Sequence, residues 1–353
     1  MPPTWPDESA VVRRDILNAQ GLSLPLFSFS PPLAKASVIL VHGVGVSARH
    51  EFLLAPTKGE VHTKWDGSIL QRLVSQGLRC FTYDHQGMGE AQSARPRVRY
   101  YFERFDDLAT DLLQVHDLVR SEIPADEPIF WLGISMGGGV CVRAAQMQEP
   151  AAASGLVLLA PMLSLTAVRE EYLLRSLGIR NRHLYPIMNQ LSYFLPTVKL
   201  VKKAQNTVHP HIEREIAADP LNNTQPICVR PATEFVLITE AFMAQGGEKS
   251  LEAVRCRDLL LVHALADTFV EPGGSLAAYS RCSVSRSKTL LLIGAGDART
   301  EGSLQQEGGG AARVTASLEK MKNVGMWHAL TQEPGNTELA DAIAEWICER
   351  ASA

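Results

Sequence analysis

The sequence predicts an α/β fold, with a mostly parallel central sheet, helices on both faces and one inserted helical lid. Three observations carry that expectation. Short apolar runs of strand type alternate with amphipathic helical stretches along most of the chain, as a parallel sheet with crossover helices requires. Residues 128–148 run from strand through a Gly-rich turn into helix without a break. Between residues 162 and 235 the alternation lapses into helical, aromatic and basic pieces with no clear strand, and it then resumes.

In chain order, residues 11–30 alternate about Asn18-Ala19-Gln20-Gly21, which predicts an opening hairpin. A buried strand at 37–41 runs into His42-Gly43-Val44-Gly45. Residues 46–67 are expected to be a long loop and 68–76 a helix. The next strand, 78–83, ends in Asp84-His85-Gln86-Gly87-Met88-Gly89. Phe105, Leu108, Leu112, Val115 and Val119 share one helical face. Residues 129–132 and 155–159 are apolar strands, and 259–263 and 289–293 restore the pattern after the lid, with a helix at 274–279 between them. A closing helix spans 337–350. Residues 294–315 are Gly-rich, polar and aperiodic, which predicts a disordered surface insertion. The expected division is core 11–161, lid 162–235 and core 236–353.

Composition bounds the partners. A chain of 353 residues suffices for one large α/β domain with an insertion. A net charge of -4 supplies no field to hold nucleic acid or to bind strongly to anionic lipid. The 6 cysteines are widely spaced with no C-x-x-C, so free thiols in a reducing compartment are expected, not metal ligands or disulfides. The amino terminus carries acidic residues and no apolar core, unlike a signal or transit peptide, so a cytoplasmic location is expected. No apolar run approaches the ~20 residues of a membrane span, which leaves peripheral contact through the lid as the available membrane association.

Ser135 lies at the centre of Gly133-Ile134-Ser135-Met136-Gly137, a G-x-S-x-G between strand and helix. Such a turn lifts a hydroxyl clear of the sheet. A serine needs a base within hydrogen-bond reach, and the base needs a carboxylate. His328 follows the last expected strand, and Asp267 follows the one before it. Asp297 is the rival acid, but it shares one long Gly-rich connection with His328, whereas Asp267 reaches the site from a separate strand. Backbone N–H groups for a developing oxyanion are expected from Met136, next to the serine, and from Val44 in the Gly-rich turn. His42 and Asp84 are read as structural, and Lys199, Lys202 and Lys203 as a solvated helix face. Tyr172, Leu173, Leu174, Leu184, Tyr185, Ile187, Met188, Leu191, Tyr193 and Phe194 are expected to pack on the main domain, some of them walling a pocket.

From Asn18 to Ala344 the sequence resembles α/β-hydrolases of the monoacylglycerol lipase and lysophospholipase type, the serine aminopeptidase-like hydrolases. The resemblance rests on NAQGLSL, VILVHGVG, YDHQGMG, GISMGG, GLVLLAPML, ADPL near Asp219, LLLVHALADTFVEP and GMWHALTQEP. It implies Ser135, Asp267 and His328 as a triad and Val44 with Met136 as oxyanion donors. Three positions depart from the pattern: Ile134 replaces a histidine, Gln86 an arginine, and Ala264 the glycine of a common H-G. The resemblance implies hydrolysis of a fatty-acyl ester, a monoglyceride or lysophospholipid, with no metal or organic cofactor. A small-ester or thioester hydrolase, an acyltransferase, and a ligand receptor on the same scaffold are the alternatives.

Overall fold

The computed structural model describes residues 4–148, 153–174, 178–201, 205–294 and 325–352. An eight-stranded sheet runs in the order β1-β2-β4-β3-β5-β6-β11-β12. The strands are β1 (Val12–Leu17), β2 (Ser23–Phe29), β3 (Ala36–Val41), β4 (Leu78–Tyr83), β5 (Ile129–Ile134), β6 (Gly155–Leu159), β11 (Arg255–Ala264) and β12 (Ser283–Ile293). β1, β2 and β4 pair antiparallel. The pairs from β4 to β12 are all parallel. The opening hairpin forms as expected, with the Asn18 side-chain oxygen accepting N–H bonds from Gln20 and Leu22 across the turn.

The inner strands read as unbroken apolar runs because both faces are covered. Ile39, Val41 and Trp131 face one core, shared with α3 (Phe105–Glu122), α4 (Met136–Met147), α8 (Val229–Met243) and α9 (Pro272–Arg281). Val38, Leu40, Phe130 and Leu132 face the other, with α1 (Ala48–Phe52), α2 (Ile69–Ser75) and the closing helix α10 (Asn336–Ala351). Adjacent residues thus serve opposite cores.

Several expectations change. The stretch 46–67 is not a plain loop: Ser47 caps the short helix α1, whose five residues are all buried. The stretch expected to be a strandless lid holds two small antiparallel pairs, β7 (Tyr172–Leu174) with β8 (Ile179–Arg180) and β9 (Lys199–Val201) with β10 (Ile227–Cys228). They accompany α5 (Thr166–Glu170), α6 (Tyr185–Phe194) and α7 (Pro210–Ala218). Strands of two or three residues are too short to show a period of two. The boundary expected at 235 falls inside α8, which carries Phe235, Ile238 and Phe242 into the first core. Ile187, Tyr193 and Phe194 do not pack on the main domain but are exposed, Phe194 at 79%. Lys199 lies on a strand, not a helix, while Lys202, Lys203, Asp297 and nearly all of the Gly-rich insertion fall outside the described residues. All six cysteines are described, and all are free thiols. Among the described residues no helix is long and apolar enough to cross a membrane.

Candidate active site

The turn between β5 and α4 sets Ser135 at φ 51°, ψ -116°, a left-handed conformation that a residue with a side chain adopts only under constraint. Its neighbours two positions away must be bare. A Cβ on Gly133 would meet the Gly137 carbonyl oxygen at 2.5 Å, and one on Gly137 would meet the Val41 oxygen at 2.1 Å. Hydrogen bonds fix the turn: Ser135 N–H donates to Leu159 O at 3.0 Å, and Met162 N–H donates to Ser135 O at 2.8 Å.

Three residues distant in sequence meet above the parallel strand ends. Ser135 Oγ lies 3.1 Å from His328 Nε2, and His328 Nδ1 lies 2.6 Å from Asp267 Oδ2. The other Asp267 oxygen accepts N–H bonds from Phe269 at 2.8 Å and Val270 at 3.1 Å. Burial pushes the Asp267 carboxyl up, but His328, His263 and the Val270 N–H outweigh it and hold the pKa down at about 2. Burial also pulls the His328 imidazole down, yet Asp267, then Glu333 and Glu51, keep it above the ordinary value. The carboxylate therefore stays ionised and accepts a hydrogen bond from the Nδ1–H, leaving Nε2 to accept from the serine hydroxyl. The rings of Phe269 and Trp327 close over this corner, with Phe269 5.0 Å from the imidazole.

Val44, in the Gly-rich turn after β3, and Met136, directly after Ser135, both border the serine. Met136 is the first residue of α4, so its amide has no partner within the helix. Val44 follows Gly43, where a Cβ would come within 3.5 Å of the Ser135 Cβ. His42 braces that turn: its Nε2 accepts from His85 N–H at 3.0 Å, which puts the proton on Nδ1, bonded to Gly43 O at 2.7 Å. Burial pulls its pKa down to about 4, so the ring stays neutral. Asp84 stabilises its own turn by accepting from Ala48 N–H and Glu90 N–H. The segment after α7 reaches the same place, with Asn223 N–H donating to Gly45 O at 2.8 Å and Ser47 N–H to Asn222 Oδ1 at 3.0 Å.

The sequence reading missed three side chains here. Glu333 accepts N–H bonds from Trp327, His328 and Ala329, a cradle for the histidine loop that its five-residue spacing from His328 could have suggested. His263, four residues before Asp267, donates from Nε2 to Val270 O at 3.0 Å and receives the Ser275 hydroxyl on Nδ1 at 2.8 Å. Glu51 is buried behind the Gly-rich turn, in a stretch that carried no signal.

A family model described as serine aminopeptidase, S33, matches residues 33–296. The chain belongs to this family. Monoglyceride lipase of Mus musculus is 31% identical over 150 residues, 42% of this chain and 42% of that protein. The Homo sapiens monoglyceride lipase is 28% identical over the same length. The match therefore spans less than half of these relatives. Among solved structures, a monoacylglycerol lipase from Paleococcus ferrophilus aligns with a TM-score of 0.64 at 16% identity, over 93% of this chain and 99% of its own. A soluble variant of the monoglyceride lipase from Saccharomyces cerevisiae, in complex with a substrate analogue, aligns at 0.59 and 18% identity, over 80% and 84%. The chain has the α/β-hydrolase fold.

Proposed function

We propose that this chain is a serine ester hydrolase acting on fatty-acyl esters of the monoacylglycerol or lysophospholipid class through an acyl-enzyme intermediate. The observation that carries the reading is the hydrogen-bonded line from Ser135 through His328 to Asp267, with the serine on a strained elbow. In this mechanism Ser135 Oγ attacks the acyl carbonyl while His328 Nε2 takes its proton. Asp267 holds the imidazole in its Nδ1–H tautomer and stabilises its cation. The N–H groups of Val44 and Met136 receive the oxyanion, a pair of bonds worth ~10² to 10³ in rate for each donor. His328 then returns the proton to the leaving alcohol, and water repeats the sequence in reverse to free the acid.

The lipid side of the reading rests on the names of the relatives and on the segment between β6 and β11, taken as a cap. That segment exposes Ile187, Tyr193, Phe194 and Leu200, apolar groups suited to a lipid surface. A fluorophosphonate probe followed by peptide mapping tests the nucleophile. Modification at Ser135 supports the reading, and a folded, unlabelled protein favours a receptor. A panel of acyl glycerols, lysophospholipids and p-nitrophenyl esters tests the substrate, since each methylene buried in an acyl site adds ~0.8 kcal/mol. Rates that peak at acetyl and fall by butyryl favour a small-ester hydrolase.

A further inference from the structure

Glu51 is 6% exposed, and its two oxygens serve two different loops. Oε2 accepts the N–H of Gly43 at 3.1 Å, in the turn that carries Val44. Oε1 accepts the hydroxyl of Thr331 at 3.1 Å, three residues after His328. A Cβ on Gly43 would lie 3.1 Å from Oε2 and 3.5 Å from the Ser135 Cβ, so the carboxylate sits immediately behind the nucleophile. The Gly-rich turn follows β3 near the middle of the sheet, whereas the histidine loop precedes α10, and among the described residues no strand joins the two loops.

We propose that Glu51 is a positioning residue that locks the oxyanion turn to the histidine loop and so fixes the distance between His328 and the oxyanion donors. The inference rests on the hydrolase reading of Ser135. A lock of this kind acts on the rate and not on substrate affinity, because both loops bear on the reacting atoms. Misplacement by ~1 Å is enough to cost on the order of 10² in rate. The carboxylate has a second, electrostatic consequence. His328 faces Asp267 from the loop after β11, Glu333 from its own loop and Glu51 from α1, and each of the three favours the imidazolium. Glu51 itself faces Gly43, Thr331, His328 and His62, with burial the strongest influence on its carboxyl and raising it.

The test measures kcat, KM and the fluorophosphonate labelling rate on p-nitrophenyl butyrate and probe, across pH, for wild type, Glu51→Ala, Glu51→Gln and Thr331→Val. Glu51→Ala should lower kcat by ~10² with KM within ~3-fold. Glu51→Gln retains an acceptor for Gly43 and a group that can bond Thr331, so it should recover most of that loss. Having no charge, it should also move the acid limb of the pH profile to lower pH, a displacement that a purely structural side chain would not cause. Thr331→Val removes only the hydroxyl and should lower kcat without changing KM, and it decides the matter if Glu51→Ala does not fold. A labelled wild type whose variants match it in rate and pH profile overturns the role of Glu51 alone. A wild type that the probe does not label ends the hydrolase reading, and the role with it.

Discussion

His263 Nε2 lies 3.3 Å from Asp267 Oδ2, the same oxygen that accepts His328 Nδ1 at 2.6 Å. The two imidazoles thus share one carboxylate oxygen, and a run of polar contacts extends from Ser135 to the buried Ser275. His263 is fully buried in β11, and its partners set its tautomer, because the Val270 carbonyl can only accept. It therefore sits against Asp267 at 3.3 Å, and its variants test whether that contact orients the carboxylate.

Replacing His263 with Phe keeps the volume and removes the donor. The Nε2–H lies between the Val270 carbonyl and the Asp267 carboxylate, and losing this shared contact, about 0.5–1.5 kcal/mol for an ordinary hydrogen bond, should lower kcat roughly 2- to 10-fold. His263→Gln, which restores an N–H, should regain part of the rate. A His263→Phe enzyme with wild-type kcat would leave His263 as packing alone.

The identity of the acid is decided by amide substitution. Asp267→Asn should keep the fold and lower kcat by ~10⁴, because an asparagine stabilises the wrong imidazole tautomer. Asp297→Asn should stay within a few fold of wild type. The reverse pattern would move the acid to Asp297. In wild type, activity should rise with pH through a midpoint above the 6.5 of a free imidazole, since His328 must be neutral to act as base and its surroundings raise its pKa.

Asp111 makes stability depend on pH near neutrality. Its carboxyl accepts from Asn18 Nδ2 at 2.9 Å and Gln86 Nε2 at 2.8 Å, two uncharged partners. Gln86 stands where the family pattern has arginine. Burial lifts the pKa to about 7, against the smaller opposing effect of the two amides. The folded pKa exceeds the unfolded one, so the stabilising contribution is full below pH 3.8 and is lost as the pH rises through 7. Asp111→Asn should therefore melt above wild type at pH 8 and lose that advantage at pH 5. The buried Gln86 Oε1, which has no partner, can accept the new amide after a flip. A melting difference that does not change with pH would refute the assignment.

The parts legible in the sequence were those whose side chains carry a period. β4 and β6 were placed to the residue because each is a short, mostly apolar run that ends at a turn, Asp84-His85-Gln86-Gly87 after β4 and Ala160-Pro161 after β6. The meeting of Ser135, His328 and Asp267 was legible because Ser135 sits in a steric motif and the other two follow strand ends. α1 was not, since a five-residue helix that buries Arg49, His50 and Glu51 has the composition of a surface loop. Phe194 and Tyr193 read as core because periodicity reports an apolar face and not what covers it. Glu51 and His263 were missed because their contacts run across 280 residues and from β11 to the loop that follows it, respectively, and neither spacing repeats.

Arg49 and Asp219 join the segment between β6 and β11 to the core. Arg49 on α1 pairs through Nη2 with Asp219 at the end of α7 and donates from Nη1 to the His62 carbonyl, and the pair's side chains are 3% and 0% exposed. Asp219 Oδ1 accepts from Leu221 N–H at 2.9 Å, which shapes the turn leading to Asn222 and Asn223 against the Gly-rich loop. Desolvation is the dominant influence on Arg49 and draws its pKa down against the opposing pull of Asp219, yet a guanidinium keeps its charge, so the buried cation depends on its carboxylate partner for stability. Asp219→Ala should strand a buried guanidinium and destabilise the fold by about 3–5 kcal/mol, visible as a large fall in Tm. The double variant Arg49→Met with Asp219→Ala removes the stranded charge and should melt above the single one. If the single variant unfolds no more easily than the double, the pair adds nothing beyond its packing. The double variant should still be slower than wild type in kcat, because Asn222 and Asn223 lose the turn that presses them on Ser47 and Gly45.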